Sequence, residues 1–167
     1  MYTKLQMVDA STIEDILSFE HNWRHSENID RVTGKSTVDK SLRSSKQHSL
    51  KHYPKLFKQV QESIQSVTSL PVTLLDLLRY DVGDHFIYHY DTNKWRKHTV
   101  CIGIKPEDYT GGELVLRQNG IEYPFKLNTG EGIIFDSTIE HKVNKVTSGV
   151  RYSIIGWTNH GGKKDKI

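Results

Sequence analysis

Residues 71–91 read PVTLLDLLRYDVGDHFIYHYD, and residues 111–136 read GGELVLRQNGIEYPFKLNTGEGIIFD. Both stretches are short apolar or alternating runs cut by Gly, Asn and Asp, the pattern of successive β-strands rather than of amphipathic helices. Working outward from them, eight such runs lie near 72–80, 85–91, 99–105, 112–118, 121–127, 131–136, 141–146 and 150–158. Asn119-Gly120 separates the fourth run from the fifth. That dipeptide suits a type I′ hairpin turn, because both of its residues tolerate positive φ.

The preceding third of the chain has a different pattern. Ser11 and Glu14 match a capping box, and Ile13, Ile16, Leu17 and Trp23 follow, which predicts a helix over 11–23. Residues 26–50 are rich in Ser, Lys, Thr and Asn, the composition of an exposed, mobile loop. Pro54 suits a first helical turn, with Leu56, Phe57, Val60, Ile64 and Val67 marking one face of a second helix. Two helices followed by eight strands predict an α+β, mostly β architecture. It is a double-stranded β-helix (jelly roll, cupin-like) with about two N-terminal supporting helices. A lipocalin-like barrel is the alternative. The 167 residues suffice for one domain, with 1–69 as helical support and a loop and 70–160 as the β-helix.

Composition narrows the function only by exclusion. The net charge of +3, from 23 Lys and Arg against 20 Asp and Glu, establishes neither a nucleic-acid nor a membrane partner. Lys163, Lys164 and Lys166 read as a solvated terminus. Cys101 is the only cysteine, so an intramolecular disulfide and a cysteine-rich zinc site are excluded; it sits in an apolar run as a small core residue. With no basic-then-apolar leader and no window of roughly 18 apolar residues, the expectation is a cytoplasmic protein.

The chemistry rests on a few polar residues placed in apolar strands. His89 and Asp91 close the second run two residues apart, where both point to one face and can reach one ion. His141 opens the seventh run, and a β-helix can bring those strand ends together. Two His and one carboxylate form a facial triad that leaves adjacent positions open, and the mixed N and O donors suit iron(II), although zinc accepts the same ligands. Arg151 shares a strand face with Ser153 in a run that also holds Tyr152, Ile154, Ile155 and Trp157. An inward guanidinium there needs a partner, and it can grip a carboxylate through two parallel hydrogen bonds with the Ser153 hydroxyl as a third. His85, on the face of His89, reads as a supporting residue and not a ligand. Gly111-Gly112 reads as a tight turn, since no Lys-Ser or Lys-Thr follows to make a phosphate loop.

Taken in order, Tyr80-Asp81-Val82-Gly83, Phe86, His89-Tyr90-Asp91, Thr99, Gly111-Gly112-Glu113-Leu114, Gly130-Glu131-Gly132, Phe135, His141-Lys142-Val143, Val146, Gly149, Arg151-Tyr152-Ser153 and Trp157 resemble the catalytic domain of the prolyl 4-hydroxylase superfamily. The resemblance covers roughly residues 72–158. Less specifically, the two helices and Asp39-Lys40-Ser41-Leu42-Arg43-Ser44-Ser45 are similar to that family's N-terminal support and substrate-side loop.

The resemblance implies a 2-oxoglutarate-dependent dioxygenase in which His89, Asp91 and His141 hold iron(II). It implies that Arg151, with Ser153, holds the distal carboxylate of 2-oxoglutarate, that Tyr80 lies beside the co-substrate and that Thr99 borders the same pocket. Arg43 would contact the substrate, a prolyl residue in a peptide or protein, with molecular oxygen consumed, succinate and carbon dioxide released, and ascorbate as a candidate reductant. Asp91 favours hydroxylation over halogenation, because related halogenating enzymes lack that carboxylate. The alternatives are a nucleic-acid dealkylase, a hydroxylase of a free amino acid, for which residues 33–49 would have to close the pocket, and a non-catalytic cupin-like module. Dealkylases carry a second arginine soon after the first, and Tyr152 to Asn159 contain none. Gly103 stands where some family members place a tyrosine that assists the arginine, which implies a roomier distal pocket. The oligomeric state leaves no trace in the sequence.

Overall fold

The computed structural model describes residues 1–19, 21–29, 33 and 35–160. Its first elements are β1 (Tyr2–Gln6), α1 (Ala10–Ser18), β2 (Arg24–His25), β3 (Asn28–Ile29), β4 (Ser36–Thr37), β5 (Lys46–Ser49) and α2 (Pro54–Ser63). Then come β6 (Val72–Tyr80), β7 (Phe86–His89), β8 (Arg96–Gly103), β9 (Tyr109–Gly111), β10 (Leu114–Gln118), β11 (Ile121–Phe125), β12 (Glu131–Asp136), β13 (Glu140–Val143), β14 (Val146–Gly149) and β15 (Arg151–Asn159). A seven-stranded antiparallel sheet has the order β1-β12-β8-β15-β6-β5-β2, and a four-stranded one the order β11-β10-β13-β7. This is the expected double-stranded β-helix and not a lipocalin-like barrel.

The period of two explains why the long strands are apolar on both faces. Leu75 and Leu77 of β6, Val100 and Ile102 of β8, Ile134 of β12 and Ile154 of β15 point outward, where Ile13 and Ile16 of α1 and Leu56 and Val60 of α2 cover them. The residues between them, among them Leu78, Tyr80, Cys101, Ile133 and Phe135, point inward and pack against Leu114, Leu116 and Val143 of the small sheet. The helices thus brace one face of the large sheet and leave the other for the site. Asn119 and Gly120 both have positive φ, 54° and 75°, as the predicted hairpin turn requires.

Several expectations need correction. α1 stops at Ser18 instead of running to residue 23, and its N-cap is Asp9, whose carboxylate accepts from the Thr12 N–H, not Ser11. Residues 26–50 are not one exposed loop. β5 pairs with β6 in the large sheet, Ser26 and Ser45 are buried and hydrogen-bonded to each other, and Leu50 is fully buried. Ten strands, not eight, follow α2 among the described residues, because the seventh run divides into β13 and β14 and the short β9 is added. β1, which the sequence pattern does not flag, forms the edge next to β12. The tail with Lys163, Lys164 and Lys166 lies outside the described residues. Among those residues no helix is long and apolar enough to cross a membrane.

Candidate metal and carboxylate site

His89 and His141, far apart in sequence, are directly opposed partners across β7 and β13, with ring centroids 4.2 Å apart. A register shift follows at once, since Val143 pairs with Phe86, and such a bulge re-aims the side chains beside it. Asp91 follows the end of β7, where its N–H donates to the Ser137 carbonyl and its Oδ2 accepts from Thr99 Oγ1 at 2.8 Å. Its two oxygens then stand 3.0 Å from His141 Nε2 and 3.5 Å from His89 Nε2. One ligand atom from each of the three residues falls within 4.8 Å of the others.

The tautomers fit a metal. His89 Nδ1–H donates to the Ile87 carbonyl at 2.7 Å and His141 Nδ1–H to the Ile139 carbonyl at 2.9 Å, so each Nε2 faces the centre. Phe86 stacks on His89 at 3.5 Å, and Phe135 meets His141 edge-on. Burial, with His141 alongside, lowers the His89 pKa to about 3, which keeps its Nε2 lone pair free. Burial also disfavours charge on His141 and Asp91, but their mutual contact outweighs it, raising the pKa of His141 and holding the Asp91 carboxyl well below the usual range. A proton shared between these two groups is what a divalent cation would displace.

The three residues line a cavity of about 710 Å³ whose floor is the inward face of β6 and β15. Arg151 stands at one end, opposite Tyr80 in the strand register and only 4% exposed. Its Nη1–H donates to Ser153 Oγ at 2.9 Å, its guanidinium lies 4.9 Å from the centre of the Tyr80 ring, and its Nε is buried without a partner. Among the described residues no carboxylate stands at ion-pair distance from it. A buried cation in that state calls for an anion from outside the chain. Gly112, at φ 66°, lets it pass, since a Cβ there would lie 2.9 Å from Arg151 Cδ.

The implied widening at Gly103 does not occur, because Leu127 fills that direction: a Cβ at 103 would meet the Leu127 carbonyl oxygen at 2.4 Å. Thr99, expected at the pocket border, is fully buried and orients Asp91. His85 bonds through its two ring nitrogens to Ser44 Oγ and the Ser41 carbonyl, tying the substrate-side segment to β7 and leaving the metal to others. From that segment Ser36, Arg43 and Gln47 line the cavity, and the Arg43 guanidinium lies 4.6 Å from the Phe86 ring centre. Asp76, which belongs to no sequence motif, also lines the cavity. The available signal is the one used for Arg151: a charge at the inward parity of an apolar strand, between Leu74 and Leu78.

Fold and site together define a double-stranded β-helix protein with a two-histidine, one-carboxylate cluster beside a buried arginine. The family model for the 2OG-Fe(II) oxygenase superfamily matches residues 75–159, just over half of the chain, and the chain belongs to that superfamily. A PKHD-type hydroxylase of Colwellia psychrerythraea is 54% identical over 52 residues, 31% of this chain and 23% of the relative. One of Picosynechococcus sp. is 45% identical over 115 residues, 61% of this chain and 52% of the relative. The chain therefore spans from about a quarter to about half the length of these curated relatives. A prolyl hydroxylase of Trichoplax adhaerens, solved with a hypoxia inducible factor oxygen degradation domain peptide fragment, superposes with a TM-score of 0.68 at 15% identity, over 95% of this chain and 83% of that one. That likeness is one of fold.

Proposed function

We propose that the chain is one oxygenase domain that hydroxylates a prolyl residue in a peptide or protein, consuming 2-oxoglutarate and dioxygen and releasing succinate and carbon dioxide. The observation that carries the reading is the buried guanidinium of Arg151, without a carboxylate partner among the described residues, in the same cavity as His89, Asp91 and His141. His89, Asp91 and His141 would hold iron(II), and Arg151 with Ser153 would hold the distal carboxylate of 2-oxoglutarate against Tyr80. When bound, iron and 2-oxoglutarate supply oxidative decarboxylation coupled to insertion of one oxygen atom into a substrate C–H bond.

The chain's own residues position these partners. Thr99 fixes the Asp91 carboxylate, and the Ile87 and Ile139 carbonyls fix the imidazoles. Phe86 and Phe135 exclude water from one side of each ring. Arg43 is the proposed substrate contact on the substrate-side wall, and ascorbate the proposed reductant that keeps the iron ferrous. A reducing, cytoplasmic setting accords with the lone buried Cys101. The nucleic-acid reading lacks its second arginine between Tyr152 and Asn159. Mass spectrometry of prolyl peptides incubated with the protein, iron(II), ascorbate and 2-oxoglutarate should show the gain of one oxygen on proline. Peptides left unmodified while methylated oligonucleotides are demethylated would replace this reading with the dealkylase one.

A further inference from the structure

Asp76 is an acidic group set into the floor of the site without an adequate partner. It is 6% exposed and shares the inward face of β6 with Leu74, Leu78 and Tyr80. Among the described residues its Oδ1 is buried with no hydrogen-bond partner, and its Oδ2 has only a long 3.4 Å contact from Gln47 Nε2. A buried acceptor left in that state is costly, more so when it carries charge. Burial pushes the Asp76 pKa upward against the pull of Arg24 and Arg43.

The strand register places this carboxylate relative to the rest of the site. Arg151 is paired with Tyr80, whereas Asp76 is paired with Ile155 and lies four residues, roughly 14 Å, back along β6. The next inward pair along β15, Trp157, is opposed to Thr99, which holds Asp91. Asp76 therefore lies one inward step from the level of the metal cluster and well away from the arginine end. 2-Oxoglutarate is a dianion that offers acceptors only, so it cannot satisfy Asp76. A donor brought by the substrate would complement it.

A prolyl residue inside a chain has a tertiary amide and no N–H to give. Proline at a chain start, or free proline, has a protonated secondary nitrogen with two. We infer that Asp76 receives a protonated nitrogen of the substrate, so that the residue to be hydroxylated enters as an N-terminal prolyl residue or as the free imino acid and not from the interior of a chain. The inference rests on the prolyl reading above and assigns Asp76 as its specificity-determining residue. Arg43, whose guanidinium bonds to Ser45 Oγ and the Glu27 carbonyl and has no carboxylate at ion-pair distance among the described residues, is the group that would meet the carboxylate of the free acid.

Calorimetry under nitrogen, on the protein loaded with iron(II) and 2-oxoglutarate, tests this with five ligands. They are L-proline, a short peptide beginning with proline, the N-acetylated form of each, and the same peptide beginning with alanine. Acetylation should weaken binding about tenfold or more, the worth of one charge-assisted hydrogen bond. Asp76→Asn should erase that difference, with circular dichroism and 2-oxoglutarate affinity reporting that the variant is folded. Preference for L-proline over the peptide would assign the free acid, and the reverse preference the chain terminus. Acetylated ligands binding as well as free ones, discrimination that survives in Asp76→Asn, or no binding of any free-nitrogen ligand would overturn the inference. If the alanine peptide alone binds, and does so through Asp76, the nitrogen site stands and the prolyl reading falls.

Discussion

Arg151 is the residue on which the proposed co-substrate recognition turns. A guanidinium that is 4% exposed, bonded to Ser153 and without a carboxylate partner among the described residues is a destabilising feature unless an anion joins it. Arg151→Met should therefore leave the ligand-free protein as stable as wild type or more so, while lowering 2-oxoglutarate affinity by about 2 kcal/mol or more, roughly thirtyfold. Arg151→Lys keeps the charge but not the planar fork and should recover only part of that loss. Thermal melts and calorimetry on the same samples separate the two effects, and unchanged affinity in Arg151→Met would remove the arginine from the site. Such residues were legible in the sequence because a charge or an imidazole in an apolar strand is conspicuous. Asp76 follows the same rule but belongs to no motif, and the role of Thr99 is visible only once Asp91 is placed within 2.8 Å of it.

At the scale of elements, the turn from β12 to β13 delivers His141. Asp136 organises it, accepting from the Thr138 N–H and hydroxyl and from Lys97 Nζ, while its carbonyl accepts from the Ile139 N–H. Partial burial works against the ionised form, but these donors outweigh it and hold the carboxyl pKa at about 2, below its ordinary value of 3.8. A depressed carboxyl stabilises the fold above its ordinary value and loses that contribution as pH falls through the folded one. Melting temperatures should thus fall for wild type between about pH 4 and pH 2 more steeply than for Asp136→Asn; parallel profiles would deny Asp136 this role. Elements such as α2 and β6 were legible because their own residues carry the period that buries them. β2 and β5 are short and polar, and β1 is exposed along most of its length, so their strand character comes from distant partners, β6 and β12, that local composition does not report. The start of α1 differs from the expectation for a related reason: Asp9 and Ser11 are both competent caps, and the fold selects the Asp9 carboxylate, which accepts from the Thr12 N–H.

Over the whole molecule, two sheets enclose the site, two helices stiffen the larger sheet from outside, and residues from the 24–47 segment wall the cavity from the substrate side. The seven-stranded sheet carries Arg151, Ser153, Thr99 and Asp76, and the four-stranded sheet carries His89 and His141, so the distance between cation and metal cluster is set by sheet packing and not by a loop. The family and the triad were legible from the order of motifs; the closing of the cavity by the polar stretch was not, because its buried serines bond to each other 19 residues apart and its strand β5 forms only against β6. One cavity is proposed to join a two-histidine, one-carboxylate iron site to a carboxylate-binding arginine. Coordination of a 2-oxo acid to protein-bound iron(II) gives a visible charge-transfer absorption, and titrating 2-oxoglutarate into the iron-loaded protein under nitrogen measures it directly. Wild type should give a saturable band at one iron per chain, His141→Ala no band, and Arg151→Lys a band that needs about tenfold or more 2-oxoglutarate. A wild-type protein without the band, or a His141→Ala protein that retains it in full, would contradict an iron site built on His89, Asp91 and His141.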